Sequence, residues 1–278
     1  EALRFGGPLD LLTAPRLRRL LLRFRPRVVV AWMNRGAGFA ARAAPRDRPW
    51  TLVGRLGGYY DLRHYRGCDH LVANTRDLVR WIEAQGWDPA RVHHLPNFVP
   101  DLSGAVSAAP VPSSSPGGRR LLAMGRLHPN KGFDTLLRAL PALPDAQLTL
   151  AGDGPERAAL ERLVAECGVA GRVRFLGWRD DTAALLAEAE VFVCPSRHEP
   201  LGNVVLEAFS AGVPVVAAAS QGPREVIAPD RTGLLVPPDD PAALAVALAA
   251  LLADPARARA LGTAGRAEWA AHHAEAPV

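Results

Sequence analysis

From about residue 120 onward, short continuous apolar runs alternate with longer stretches in which apolar side chains recur every three or four positions. The runs are LLAMGRL (121–127), QLTLAGDG (147–154), VRFLGW (173–178), VFVCPS (191–196) and VPVVAA (213–218). Between them lie FDTLLRAL, RAALERLVAEC, DTAALLAEA and NVVLEAFSA. A strand that is apolar at every position is buried on both faces, and a helix with one apolar stripe can cover it. The alternation therefore predicts a parallel sheet with helices on both sides. In such a sheet the ligand crevice lies at the C-terminal ends of the strands.

The same rhythm is shorter near the start. RVVVAW (27–32), WTLVG (50–54), HLVA (70–73) and VHHL (92–95) read as strands, the third followed by a helix through DLVRWIEAQG. That is half of a doubly wound domain. A complete one needs roughly two more strand–helix units, on the order of 60 residues, so the chain is expected to begin inside a domain. Residues 103–118 (SGAVSAAPVPSSSPGG) have no apolar period and read as a linker. A chain of 278 residues is long enough for two cores. The expected fold class is α/β with two Rossmann-like doubly wound domains, the first one partial. The expected division is 1–102, the linker 103–118, a second domain 119–255, and a C-terminal helix in 256–278.

No apolar run approaches the roughly 18 residues of a membrane-spanning helix, and no leader pattern opens the sequence, which suggests a cytoplasmic protein. Cys68, Cys167 and Cys194 lie far apart, without a CxxC pair, and are expected to be three buried thiols with no disulfide or zinc site. Charge is uneven: residues 1–100 hold 17 arginines against 8 acidic residues, whereas the remainder holds 16 basic against 20 acidic. A basic front suits an anionic membrane surface, a lipid-phosphate acceptor or nucleic acid, and a solvated arginine-rich surface explains it equally. No RNA- or DNA-binding motif accompanies it, so nucleic acid is set aside. Lys131 is the single lysine among 33 basic residues. A compact ammonium kept at one place points to a site that needs a point charge.

Lys131 lies in GRLHPNKG (125–132), where a strand is expected to end and a helix to begin. Free N–H groups and the macrodipole at a helix start attract anions, and Arg126 and Lys131 would turn that start into a metal-free diphosphate clamp. The spacing is not that of a Walker loop, and no Ser or Thr follows the lysine. Two solvated cations on a surface turn are the plainer alternative. The second constellation, EPLGNVVLEA (199–208), follows the strand VFVCPS. It places Glu199 on a loop at the sheet edge and Glu207 on a helix beginning near Asn203. Carboxylates accept hydrogen bonds from sugar hydroxyls, and Gly202 lets backbone N–H groups approach a phosphate.

Together these residues resemble the retaining, nucleotide-sugar-dependent glycosyltransferases of the GT-B superfamily, the "glycosyl transferases group 1" type. GRLHPNKG is similar to that family's G-R-L-x-x-x-K-G turn, and EPLGNVVLEAFSAGVPVVA to its E-P-x-G-x-x-x-x-E-A segment and the following G-x-P-V strand. HLPNFV (94–99) and the tail GPREVIAPDRTGLLVPPDDPAALA extend the resemblance over most of the chain after about residue 90. It implies that Arg126 and Lys131 hold the donor diphosphate and that Glu207 binds the ribose. It implies further that Glu199 contacts the transferred sugar and that N–H groups near Gly202, Asn203 and Val204 meet sugar and phosphate. Base contacts would fall around Gly177 and Trp178. Catalysis would rest on Glu199, Arg126 and Lys131, with the donor phosphate taking the acceptor proton and no protein nucleophile. No metal or cofactor is implied, since the nucleoside-diphosphate sugar is a substrate. The partners would be that donor and a glycan or lipid-linked acceptor of polysaccharide or lipopolysaccharide synthesis, on the inner face of the cytoplasmic membrane. The C-terminal helix would cross back to the first domain. A sugar-nucleotide-binding protein or fragment lacking turnover is the alternative reading.

Two features depart from the family pattern. No glycine-rich loop follows a strand near the N-terminus, and Gly6-Gly7-Pro8 does not replace it. The family's D-V-V-H-x-H strand end is represented by RVVVAWMN (27–34), without histidine. Trp32, Asn34 and Arg35 are candidates for an acceptor pocket, against the alternative of an aromatic at the core edge. The stretch 57–70 gathers Tyr59, Tyr60 and Tyr65 with His64, Arg63 and Arg66. It reads either as an acceptor surface, through Tyr59, Tyr60 and His64, or as a packed turn. His198, His272 and His273 read as structural or solvated.

Overall fold

The computed structural model describes residues 3, 5, 6, 10–104 and 119–275. Most of the expected linker, 105–118, and two residues of the Gly6-Gly7-Pro8 turn lie outside the described residues. The chain divides into two compact units, 1–96 and 97–278.

The first unit contains α1 (Thr13–Phe24), β1 (Val28–Trp32), α2 (Met33–Ala43), β2 (Thr51–Leu56), β3 (His70–Ala73), α3 (Arg76–Ala84) and β4 (Val92–His94). Its four strands are parallel and lie in the order β1-β2-β3-β4. β2 alternates, burying Leu52, Gly54 and Leu56 while Thr51, Val53 and Arg55 are half-exposed. Leu52, Leu56 and Leu71 from the strands meet Ala37 and Ala40 of α2 and Leu78 and Ile82 of α3 in one core. The Thr75 hydroxyl accepts a hydrogen bond from the Leu78 amide at 3.2 Å and so starts α3.

The second unit contains β5 (Arg119–Met124), α4 (Phe133–Ala139), β6 (Ala146–Ala151), α5 (Arg157–Glu166), β7 (Val173–Gly177), α6 (Thr182–Glu188), β8 (Val191–Cys194), α7 (Asn203–Ser210), β9 (Val215–Ala218), α8 (Gln221–Val226), β10 (Leu234–Val236), α9 (Pro241–Ala253) and α10 (Pro255–His272). Its sheet is parallel, in the order β10-β9-β8-β5-β6-β7. Every residue of β8 and β9 is buried, as continuous apolar runs require, because each sheet face carries its own core. One core gathers Leu136, Leu137, Leu160, Leu244 and Leu248; the other gathers Leu186, Val205, Leu206, Phe209 and Trp269. Asp240 and Asp254, each followed by proline, cap α9 and α10 through the amides of Ala243 and Arg257 at 2.8 and 2.9 Å.

The chain adds strands on one side of β5, through β6 and β7, and then returns to its other side for β8, β9 and β10. The order reverses between β5 and β8, which opens a crevice at their C-terminal ends. Residues 97–102, expected to belong to the first domain, hold to the second unit. Val99 is buried in its core, its amide donates to His273 O at 3.0 Å, and Trp269 Nε1 donates to Val99 O at 3.1 Å. Arg266 pairs with Asp101 at 2.8 Å beside them. α10 packs on α7 within this unit. Among the described residues no single helix is long and apolar enough to cross a membrane. Cys68 and Cys194 are buried as expected; Cys167 is only half-buried.

Candidate nucleotide-sugar site

The turn that follows β5 is shaped by backbone contacts on two sides. Leu127 is fully buried, its amide donates to Asp153 O at 2.9 Å, and its carbonyl accepts from the Glu156 amide at 3.1 Å. These bonds lay the loop after β6 against the turn. The approach is so close that a Cβ on Gly152 would lie 1.8 Å from Gly125 O. At the other end Gly132 has φ +62°, and a Cβ there would lie 2.1 Å from Pro195 O. Only glycine fits, and the fit sets Lys131 against the loop that follows β8.

Lys131 Nζ pairs with Glu199 Oε2, and the side chains are 24% and 10% exposed. The Ser196 hydroxyl donates to the same oxygen at 3.2 Å. The Glu199 backbone is fixed from α8: its amide donates to Gln221 Oε1 at 3.3 Å, and its carbonyl accepts from the Gly222 amide at 2.8 Å. Gln221 Nε2 is also 3.0 Å from His198 Nδ1, which gives that histidine a bracing position. Below the pair, burial and the Glu199 charge push the Cys194 thiol up to about 11.

Gly202 precedes α7, whose Asn203 and Val204 amides have no acceptor among the described residues, as a helix start leaves them. Asn203 Oδ1 accepts from Asn97 Nδ2 at 2.8 Å. Glu207 lies one turn into α7, half-buried, its carboxylate without a hydrogen-bond partner among the described residues, and burial raises that carboxyl above the usual range. Arg126 is exposed and makes no ion pair among the described residues. The structure thus brings Lys131 and Glu199 into direct contact and leaves Arg126, Glu207 and the two amides with free valences at the same strand ends. Trp178, after β7, is 79% exposed.

Arg197 is a residue of this region that the sequence reading missed. Its guanidinium makes two 2.7 Å bonds to the Asp134 carboxylate, one of 2.7 Å to Pro129 O, and an ion pair to Asp239. It ties the turn before α4, the loop after β8 and the loop before α9 together, and Asp134 raises its pKa. No local pattern marks it, since Asp134 and Asp239 lie 63 and 42 residues away.

The acceptor candidates of the first unit separate into distinct places. Trp32 ends β1, 63% exposed, with the Arg55 guanidinium 4.6 Å from its ring centre. Asn34 and Arg35 open α2; Asn34 Oδ1 is buried without a partner among the described residues, and Arg35 donates to Phe5 O at 3.2 Å. The Tyr59 hydroxyl donates to Asp77, and its ring meets Trp81 edge-on at 5.4 Å. Tyr60 is half-buried, His64 sits 3.5 Å from Arg63 Nε, and Tyr65 is fully buried in the core. The tyrosines therefore do not form one surface.

Residues 118–254 match the family described as glycosyl transferases group 1. The lipopolysaccharide core biosynthesis glycosyltransferase LpsE of Rhizobium meliloti (strain 1021) is 36% identical over 253 residues, which cover 88% of this chain and 72% of that protein. A GDP-mannose-dependent alpha-(1-6)-phosphatidylinositol monomannoside mannosyltransferase of Mycolicibacterium smegmatis is 42% identical over 261 residues, covering 83% of this chain and 67% of that one. Among solved structures, HepE of Anabaena in complex with UDP and glucose has a TM-score of 0.82 at 20% identity, over 98% of this chain and 80% of that one. A glycosyltransferase from Rickettsia africae has a TM-score of 0.85 at 17% identity, over 99% and 80%. The chain belongs to the glycosyl transferases group 1 family, and is a glycosyltransferase with the GT-B fold.

Proposed function

We propose that the chain transfers a hexose from a nucleoside diphosphate, with retention, to a lipopolysaccharide-core or related glycolipid acceptor. The observation that carries this reading is the meeting of Lys131 and Glu199 at the reversal between β5 and β8, beside the unpartnered amides of α7. Arg126 and Lys131 supply two cations for a diphosphate, and Glu207 supplies an unpaired carboxylate for ribose hydroxyls. Glu199 is held by Lys131, Ser196 and the first residues of α8 where a transferred sugar would lie. As the bond from the anomeric carbon to the phosphate oxygen breaks, charge gathers on the leaving diphosphate, where fixed cations and amides stabilise it without reorganising. The acceptor oxygen attacks from the same face and passes its proton to that phosphate. Glu199 positions the sugar and serves as no nucleophile, and no metal enters the step. The names of LpsE and of the phosphatidylinositol monomannoside mannosyltransferase support a lipid-anchored glycan acceptor.

The membrane-facing part of this proposal rests on α1. It carries Arg16, Arg18, Arg19 and Arg23 beside exposed Leu22 and Phe24, a composition suited to the anionic inner face of the cytoplasmic membrane. Calorimetric titration with UDP, GDP and ADP in the presence of a metal chelator tests the donor site. One nucleotide is expected to bind, and both Lys131→Ala and Glu207→Ala are expected to weaken it. Nucleotide binding that is undiminished in both variants would overturn the assignment.

A further inference from the structure

In the first unit, a cleft of about 320 Å³ opens between residues 60–66 and the C-terminal end of α3. Tyr60, Arg63, Arg66, Trp81, Gln85 and Trp87 line it, with Asp61 and Leu62. The volume is that of a small-ligand site. Its walls are fixed from outside. On one side the Tyr59 hydroxyl bonds to Asp77 while its ring holds Trp81 edge-on. On the other, the Arg91 guanidinium lies 5.3 Å from the centre of the Trp87 ring and donates to the carbonyls of Cys68, at 2.7 Å, and Asp69. The Asp61 carboxylate accepts from the Arg63 amide at 2.9 Å and ends the loop at the cleft.

The polar groups of this cleft are unequal in kind. Among the described residues the Tyr60 hydroxyl, the Trp81 and Trp87 indole N–H groups, the Gln85 side-chain carboxamide and the Arg66 guanidinium have no hydrogen-bond partner. Asp61, the single carboxylate, is already paired with Arg63 at 2.9 Å. What remains is rich in donors, carries one unpaired cation, and is walled by two indoles and a phenol. Aromatic rings offer flat apolar area at little entropic cost, and guanidinium groups bind carboxylate or phosphate through paired bonds. A pyranose ring presents an apolar C–H face and a rim of oxygen acceptors, and an acidic substituent adds the counter-charge that the Arg66 guanidinium lacks.

We infer that this cleft is a subsite for a sugar residue bearing a carboxylate or phosphate, which anchors an acidic glycan to the first unit. The inference rests on the reading that the chain works on a glycan acceptor, and it names the chemistry of one sugar of that acceptor. Lys131 and Glu199 belong to the other unit, and the role assigned to the cleft is recognition.

The test is a titration of the full chain with trigalacturonic acid, with mannose 6-phosphate and with neutral galactotriose, read by the indole N–H signals of Trp81 and Trp87. An acidic probe is expected to shift both signals saturably, more tightly than galactotriose, and to weaken as salt rises. Which acid binds more tightly identifies the carboxylate or the phosphate source. Arg66→Ala, on an exposed side chain that leaves the core intact, should weaken the acidic probe by about tenfold and erase the preference over galactotriose. Trp87→Ala should weaken all probes, and Trp87→Phe should recover part of the loss. The inference is overturned by galactotriose binding as tightly as the acids, by Arg66→Ala leaving that preference intact, or by the absence of any saturable shift. Titrating the same samples with nucleotide separates the two readings. Nucleotide binding without acid binding removes the cleft alone, and acid binding without nucleotide binding removes the donor site alone.

Discussion

Replacing Lys131 by alanine would separate the structural from the binding work of the Lys131–Glu199 pair. Glu199 is 10% exposed, and without the ammonium its side chain keeps, among the described residues, only the Ser196 hydroxyl at 3.2 Å. Breaking a buried pair costs about 3–5 kcal/mol because one charge stays behind uncompensated. Lys131 is 24% exposed, so water can reach the vacated space, and a loss of about 3 kcal/mol is expected. In a unit of this size each kcal/mol lowers Tm by about 2–4 °C, which gives a drop of about 6–12 °C. The Lys131→Ala/Glu199→Gln double variant removes the stranded charge and should recover more than half of that drop in a thermal melt followed by circular dichroism. Nucleotide affinity should behave differently. In the proposed site the ammonium would contribute charge-assisted bonds to a diphosphate worth about 1.5–3 kcal/mol, so both variants should bind about ten- to a hundredfold more weakly. A double variant as unstable as Lys131→Ala would show that Glu199 is not the stranded group, and full affinity in either variant would remove Lys131 from the diphosphate site.

Three other perturbations follow from the same geometry. Gly132→Ala combines φ +62° with a Cβ 2.1 Å from Pro195 O. It should lose at least about 1–2 kcal/mol in urea unfolding and weaken nucleotide binding with it, and a neutral effect on both would contradict the contact. Burial raises the Glu207 carboxyl, so the folded state holds its proton more tightly than the unfolded chain, and stability is lost as pH rises from about 4.3 through the raised value. Glu207→Gln should therefore be more stable than the parent at pH 7 and equal to it at pH 4 in thermal melts; a parent that gains on the variant as pH rises would refute this. Sedimentation with anionic vesicles should retain the chain at low salt and release it in Arg18→Glu/Arg19→Glu/Arg23→Glu, each lost cation removing about 1 kcal/mol; unchanged retention would dismiss α1 as the contact.

Much of the second unit could be read from the chain because its central strands β8 and β9 are buried on both sides. The apolar runs of β8 and β9 have no exposed position at which a polar residue could interrupt them. Motifs at strand ends were legible for a related reason, since the turn 125–132 and the segment 199–208 each follow such a run. The first unit was harder. α2, MNRGAGFAARA, has two glycines, and the face it buries is made largely of Ala37, Ala40 and Ala43, whose small side chains give a faint apolar pattern in the sequence. The boundary near residue 97 was invisible because the partners of Val99 lie in α10, far along the sequence. Arg197 and the loop 152–154 were missed on the same ground: their bonds close over long separations, and nothing local announces them. The spread of the three tyrosines had no signal either, since Tyr65 enters the core only once the turn after β2 is folded against α2.

The reversal of strand order also carries a consequence for how the protein is made. Lys131 and Glu199 come from opposite sides of it and are 68 residues apart. At a synthesis rate of roughly 5–20 residues per second, a nascent chain presents the lysine about 3–14 s before its carboxylate exists. Within that interval β6 and then β7 are made, β6 pairing with β5 and β7 with β6, while β8, which covers the open flank of β5, is completed only shortly before Glu199. The proposed donor site therefore cannot be assembled before β8 and the loop after it have been made.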